Sequence, residues 1–265
     1  MPRLRHLHGQ GLRAGGLQQQ GLHLGQEGPA GPGGDHPVSG LFGALGDIHG
    51  DVASARTIMR RHPDVPFWLC VGDVADAAGG YQPLDAPLYF IKGNNENFDR
   101  LAAGDLPAHL HCLPNGTAAD VGGLRVAGLG GTFAPTMYEL PAEALPHPRK
   151  GTAKATELAD RRRHFVRAEV EACTRLAAVD VLLTHEAPRP FPVATAPGRR
   201  PNDAGKTPIN DILAALRPRL HLFGHHHRLA AGEVRGVPSI CLDLVSRSYL
   251  LVDRRTLQYD VVLCP

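Results

Sequence analysis

The chain has 265 residues, with 28 Lys+Arg against 26 Asp+Glu and a formal net charge of +2. Its apolar runs are far shorter than the ~20 residues that span a bilayer, and a near-neutral balance gives no bulk attraction to nucleic acid or an anionic membrane. Cys70, Cys112, Cys173, Cys241 and Cys264 are scattered and form no C-x-x-C pair. That excludes a zinc ribbon, argues against a disulfide framework, and leads us to expect a soluble, cytoplasmic protein with reduced thiols.

Residues 1–40 hold 11 of the 31 glycines, a Gln18-Gln19-Gln20 run and no Ile, Phe, Tyr or Trp. Such a segment buries too little apolar surface to offset its ordering entropy. We expect either a disordered tail or an upstream stretch outside the native reading frame, the true start lying near Val38, and a folded domain over residues 41–265.

From Leu41 the texture changes. Leu41–Leu45, Phe67–Val71 and Pro87–Ile91 read as buried strands, each ending in a polar loop. Asp51–His62 and Phe98–Ala103 read as helices. His109–Leu113, Ala118–Val121 and Leu124–Leu129 follow as strands, then a Pro- and Gly-rich stretch without period over Thr132–Thr156. Glu157–Ala178 reads as a long helix and Val179–Leu183 as a strand. Ala187–Thr207 is a second long loop, Pro208–Leu216 a helix, and Leu220–Phe223 a strand. Val237–Leu242, Tyr249–Val252 and Gln258–Leu263 close the chain as strands. The alternation is that of an α/β protein, in which sites form outside the carboxyl ends of the strands.

Five of those ends carry donor residues: Asp47-Ile48-His49, Gly72-Asp73, Gly93-Asn94-Asn95-Glu96, Thr184-His185 and Gly224-His225-His226-His227. One Gly-Asp after a strand is usually a turn, and one histidine is usually a packed side chain. Five successive ends with carboxylate, imidazole and amide donors form a set suited to hard or borderline divalent ions, and too large for one tetrahedral ion. Alternation is expected to put Asp47 with His49, and His225 with His227, on one face of extended segments.

Asp-x-His, Gly-Asp-x-x-Asp, Gly-Asn-x-Glu, a single His and Gly-His-x-His, in this order from Leu45 to His227, resemble the motif set of the calcineurin-like metallophosphoesterases. The resemblance implies a four-layer α/β/β/α sandwich of two mixed β-sheets and a centre of two divalent metal ions. Manganese is the first candidate, with iron, zinc, magnesium or nickel as alternatives. Carried over by motif, Asp47, His49, Asp73 and His227 hold one ion. Asp73, Asn94, His185 and His225 hold the other, and His226 points away. The implied activity is hydrolysis of a phosphate ester by attack of a metal-bridging hydroxide.

Two departures narrow the expectation. Asn95 stands where the family usually has His; an amide donates a hydrogen bond but is no general acid. Asp76, the second Asp of Gly-Asp-x-x-Asp, loses its usual partner there, and both residues are carried as candidate catalytic positions. Asp76-Ala77-Ala78-Gly79 also lacks the Arg-Gly that follows this motif in protein Ser/Thr phosphatases. Arg163 and Arg167, in a basic run at the head of the long helix, are candidate substrate-binding residues. The stretch from Arg163 to Arg167, the Leu182–Arg189 stretch and Gly128-Leu129-Gly130-Gly131 resemble the layout of RNA lariat debranching enzymes. Phosphodiesters, with nucleotides or nucleic acid as the candidate class, therefore stand first. A phosphomonoesterase on nucleotides or phosphoproteins is the alternative, and a weakly active or inactive binding module on the same fold is the third reading.

Overall fold

The computed structural model describes residues 40–146, 160–193, 202–203 and 205–264. The expectations for residues 1–39 lie outside the described residues.

In chain order the elements are β1 (Leu41–Leu45), α1 (Val52–Arg61), β2 (Trp68–Cys70), β3 (Leu88–Phe90), α2 (Phe98–Ala103), β4 (Leu110–Cys112), β5 (Ala118–Val121) and β6 (Leu124–Leu129). After α3 (Pro135–Tyr138) and two 3-10 turns, Ala142–Ala144 and Arg161–Arg163, come α4 (Arg167–Thr174), β7 (Val181–Thr184), β8 (Pro192–Val193), β9 (Asn202–Asp203) and α5 (Thr207–Leu216). β10 (Leu220–Phe223), β11 (Ala230–Val234), β12 (Val237–Cys241), β13 (Ser248–Asp253) and β14 (Tyr259–Leu263) complete the chain.

Two six-stranded sheets form, in the orders β14-β13-β1-β2-β3-β4 and β11-β12-β10-β7-β6-β5. Both are mixed: β1 to β4 run parallel while β13 and β14 are antiparallel. In the second, β6, β7, β10 and β12 run parallel between antiparallel edges. Strand alternation sorts their side chains into three apolar layers. Phe42, Leu69, Leu183 and Leu222 lie in the layer between the sheets. Trp68 and Cys70 face outward with Ile58 and Met59 of α1. Leu182 and Phe223 face the opposite way, with Val170 of α4 and Ile212 of α5. The result is the expected four-layer α/β/β/α sandwich.

The helix starts follow their caps. Asp51 accepts from the Ser54 N–H at 3.1 Å, and Asn97 accepts from Arg100 N–H at 3.2 Å. The long helix expected over Glu157–Ala178 is corrected. Asp160 accepts from the Arg162 N–H and starts a 3-10 turn, and the α-helix begins only at Arg167. Thr132–Thr156 is likewise more structured than a loop where it is described, holding α3 and a 3-10 turn.

Behind the strand ends, His221 of β10 is fully buried, with Nε2 2.8 Å from Thr184 Oγ1 and Nδ1 3.1 Å from Ser239 Oγ. Burial lowers its pKa to about 3. The unfolded chain takes up a proton that the folded chain refuses, so this ring costs stability as pH falls below the unfolded value and down toward the folded one. Between pH 6.5 and 5 the loss from this one group is about 2 kcal/mol. Urea denaturation of His221→Gln is expected to show an acid limb shallower by that amount, and an unchanged pH slope would overturn the assignment.

Candidate metal centre

The donor residues come from both sheets. β1, β2 and β3 deliver Asp47 and His49, Asp73, and Asn94 and Asn95; β7 and β10 deliver His185 and His225 to His227. The expected alternation within extended segments does not occur. His49, Asp73, His225 and His227 have φ of 48°, 52°, 68° and 48°, so left-handed turns swing these side chains inward. Such backbone is costly for non-glycine residues and clusters at functional sites.

Two groups of donors converge: Asp47 with His49 and His227, and Asp47 with Asp73 and His185. His227 Nε2 lies 3.0 Å from Asp47 Oδ2 and 3.1 Å from His49 Nε2. Asp73 Oδ2 sits between the groups, 3.6 Å from His49 Nε2 and 3.7 Å from His185 Nε2. Asn94 Oδ1 is 2.9 Å from His185 Nε2, whose other nitrogen is held by Val71 O at 2.8 Å. The His225 ring stands edge-on to His185 with centroids 5.0 Å apart, and its backbone N–H donates to Asp47 Oδ2 at 3.1 Å. Two donors about 2.1 Å from one first-row ion are separated by roughly 3–3.5 Å, which is the spacing found here.

Electrostatics favours a cation. Asp47 and Asp73 are each 1% exposed, and the ion-pair partners found for them are histidines. Burial pushes the Asp47 carboxyl up, but the His227 hydrogen bond and the His185 field outweigh it and hold it below its ordinary value. The His227 pKa rises through the same bond, whereas burial and His185 push His225 down to about 4. Two buried carboxylates side by side are expensive unless countered. An oxygen, imidazole and amide set without thiolate suits Mn²⁺, Fe²⁺, Zn²⁺, Mg²⁺ or Ni²⁺. The residues present therefore fit divalent ions.

The other candidates fall in different places. Asn95 turns onto Asp73, its backbone N–H donating to Oδ1 at 2.7 Å and its amide to Oδ2 at 2.9 Å. Asp76 closes its own turn, accepting from Ala78 and Gly80 N–H at 2.9 and 2.7 Å. Arg163 reaches the centre: its Nη2 donates to Asn94 O at 2.9 Å. Arg167 does not; it pairs with Glu139 and lies 4.8 Å over the Tyr138 ring. Its position at the true start of α4 explains the difference. His226 packs on the rings of Phe223 and His225.

Besides a cavity of about 610 Å³ lined by His227, Arg228, Asp243 and Arg247, two cavities border the cluster. One, of about 270 Å³, is lined by Asp76, Asn94, Asn95, Asp160 and Arg163. The other, of about 570 Å³, is lined by Phe133, Glu186, Arg189, Lys206, His225 and His226. Sequence reasoning missed the second because its walls come from loops without hydrophobic period. It also gave Glu96 no role. That carboxylate accepts from Val74, Ala75 and Gly93 N–H and from Tyr81 OH, tying the Asp73 loop to the Asn94 loop. Its place three residues after Gly93 was the available signal.

The motif glycines are set by close approach. A Cβ on Gly93 would lie 1.9 Å from Asp73 Oδ1, and one on Gly224 would lie 2.2 Å from Asp47 Oδ1. Gly93→Ala or Gly224→Ala is expected to weaken divalent-ion binding by about 10–100-fold, as loss of supporting groups does. Calorimetric titration with Mn²⁺ measures this, and unchanged affinity would show that neither carboxylate is a ligand.

The calcineurin-like phosphoesterase family model matches residues 41–229. A lariat debranching enzyme of Schizosaccharomyces pombe is 25% identical over 199 residues, covering 68% of this chain and 42% of that protein. The chain thus spans less than half of that relative's length. An uncharacterized protein of Haemophilus influenzae is 26% identical over 202 residues, covering 69% of this chain and 81% of its own. The crystal structure of TT1561 of Thermus thermophilus superposes with a TM-score of 0.56 at 15% identity, over 84% of this chain and 98% of that one.

Proposed function

The chain belongs to the calcineurin-like phosphoesterase family, and on that premise we propose that it hydrolyses phosphodiesters at a centre of two divalent metal ions, manganese first. The observation that carries this reading is the convergence of His49, His185 and His227 on the two buried carboxylates of Asp47 and Asp73. Asp47, His49, Asp73 and His227 would hold one ion, and Asp73, Asn94, His185 and His225 the other. Ions held there would neutralise phosphoryl oxygens and acidify a bound water toward neutral pH.

The protein's own groups do the rest. His185 is oriented through Nδ1 by Val71 O, which leaves Nε2 facing Asn94 and Asp73. Asp73 is fixed by two donors from Asn95, so its oxygens keep their direction. Arg163, anchored on Asn94 O, lines the smaller cavity and places a guanidinium within reach of a phosphoryl oxygen. A diester has two arms to accommodate, and several cavities border the donor cluster. That favours a diester over a monoester.

Asn95 has no titrating group and cannot donate a proton to a departing oxygen, while Asp76 holds its own turn through Oδ1. Turnover should therefore depend steeply on leaving-group acidity, since general acid catalysis is worth ~10²–10⁴-fold. Full-chain protein with Mn²⁺ is expected to cleave bis-p-nitrophenyl phosphate, to lose that activity with chelator or in Asp73→Asn, and to cleave an alkyl p-nitrophenyl diester only on its aryl side. Two bound ions per chain with no turnover of any diester would overturn the reading in favour of a binding module.

A further inference from the structure

One ammonium ties the Arg161–Arg163 turn to the strand end that carries Asn94. Lys92 follows β3 and stands two residues before Asn94. Its Nζ donates to Arg162 O at 3.0 Å and to His164 O at 3.2 Å, the carbonyls on either side of Arg163. The Arg163 carbonyl between them accepts from Thr132 N–H at 2.9 Å. Three successive carbonyls are thus held from outside the turn. Lys92 is itself fixed: its carbonyl accepts from Gly131 N–H at 2.7 Å. A Cβ on Gly130 would lie 2.3 Å from that oxygen and 2.7 Å from Lys92 Cγ, so the glycine leaves the space that Lys92 fills.

The fold alone does not ask for an ammonium here. The Lys92 side chain is 18% exposed and borders a cavity of about 280 Å³ that Phe98, Leu101 and Leu113 also line. Its carboxylate neighbour, Glu169 Oε1, stands 3.7 Å away, beyond hydrogen-bond range. Glu169 Oε2 accepts instead from Val166 N–H at 2.9 Å, at the start of α4. An apolar side chain would pack beside Phe98 and Leu113 without the cost of desolvating a charge. It could not hold two carbonyls. From the held turn, Arg163 Nη2 donates to Asn94 O at 2.9 Å and lines the cavity beside Asn94 and Asn95.

We propose that Lys92 is a positioning residue for Arg163, fixing the backbone on both sides of it so that the guanidinium meets a phosphoryl oxygen at the donor cluster in one geometry. A long side chain grips an anion well only when little freedom is left to lose on binding. The proposal rests on the reading of Arg163 as the group that touches the substrate phosphate, and not on which ester is cleaved.

The test is calorimetric titration of the Mn²⁺-loaded full chain with thymidine 5′-monophosphate, in Lys92→Met, in Arg163→Gln and in the double variant. Each single variant is expected to weaken binding about tenfold. Once Arg163 is replaced, Lys92→Met should cost less than about twofold, because the two residues act as a unit. Mn²⁺ affinity should stay within about twofold throughout. A residue that served only stability would not lose its effect when Arg163 is gone. Lys92→Gln, too short to reach both carbonyls, is the second variant; circular dichroism checks folding, and either variant alone decides the point. Unchanged monophosphate affinity in a folded Lys92 variant, or an equal loss with and without Arg163, would overturn the proposal. Unchanged affinity in Arg163→Gln would overturn it too, by removing the residue that Lys92 serves. Failure to hydrolyse bis-p-nitrophenyl phosphate would overturn the phosphodiesterase reading instead, and the affinities would still decide this one.

Discussion

Two buried carboxylates set the terms for the rest of the molecule. Asp47 and Asp73 stand at the ends of neighbouring parallel strands, each 1% exposed, with imidazoles rather than lysine or arginine as their ion-pair partners. A folded chain keeps such a pair only with strong compensation. Backbone N–H groups of His225 and Asn95, the Asn95 amide and the His227 ring supply part of it. A pair of divalent cations completes it in the proposed reading. Gly93 and Gly224 follow from the same constraint, because each carboxylate occupies the space a side chain there would need.

The sheets are arranged to meet this demand. Parallel strands bring their carboxyl ends to one edge, and two sheets packed across a shared apolar layer double the number of ends within reach. Three ends from one sheet and two from the other then surround a single point. Left-handed turns at His49, Asp73, His225 and His227 aim the side chains across the gap. The strain is held in place by the rigid layers behind it: Trp68, Leu69 and Cys70 behind Asp73, and Leu220, Leu222 and Phe223 behind His225.

Much of this was legible in the sequence because it depends on local patterns. β1, β5, β6, β10 and α2 match their apolar runs and caps residue for residue. The strand-end motifs pointed to the donor cluster, since each follows a buried run that must stop at the same edge. The turns that bring the donors together were not legible. Asp and His take positive φ more often than most residues but far less often than glycine, so extended alternation was the default reading and the wrong one. The Arg161–Arg163 turn was hidden for a different reason. Arginine is a good helix former, and only the tertiary hold of Lys92 Nζ on the Arg162 and His164 carbonyls shows why the chain stays out of the α-helix there. The walls of the cavity at Glu186 come from segments far apart in the chain, which no single-window pattern links.

In the proposed reading, Asn95 bears on how the leaving group departs. An imidazole at position 95 could share a proton with a departing oxygen. Asn95 instead spends its backbone N–H and its side-chain amide on Asp73, which fixes a carboxylate at the middle of the cluster but moves no proton. A site built this way gains positional precision and loses acid catalysis on the Asn95 side. Departure then relies on the acidity of the leaving group or on stabilising the charge it develops.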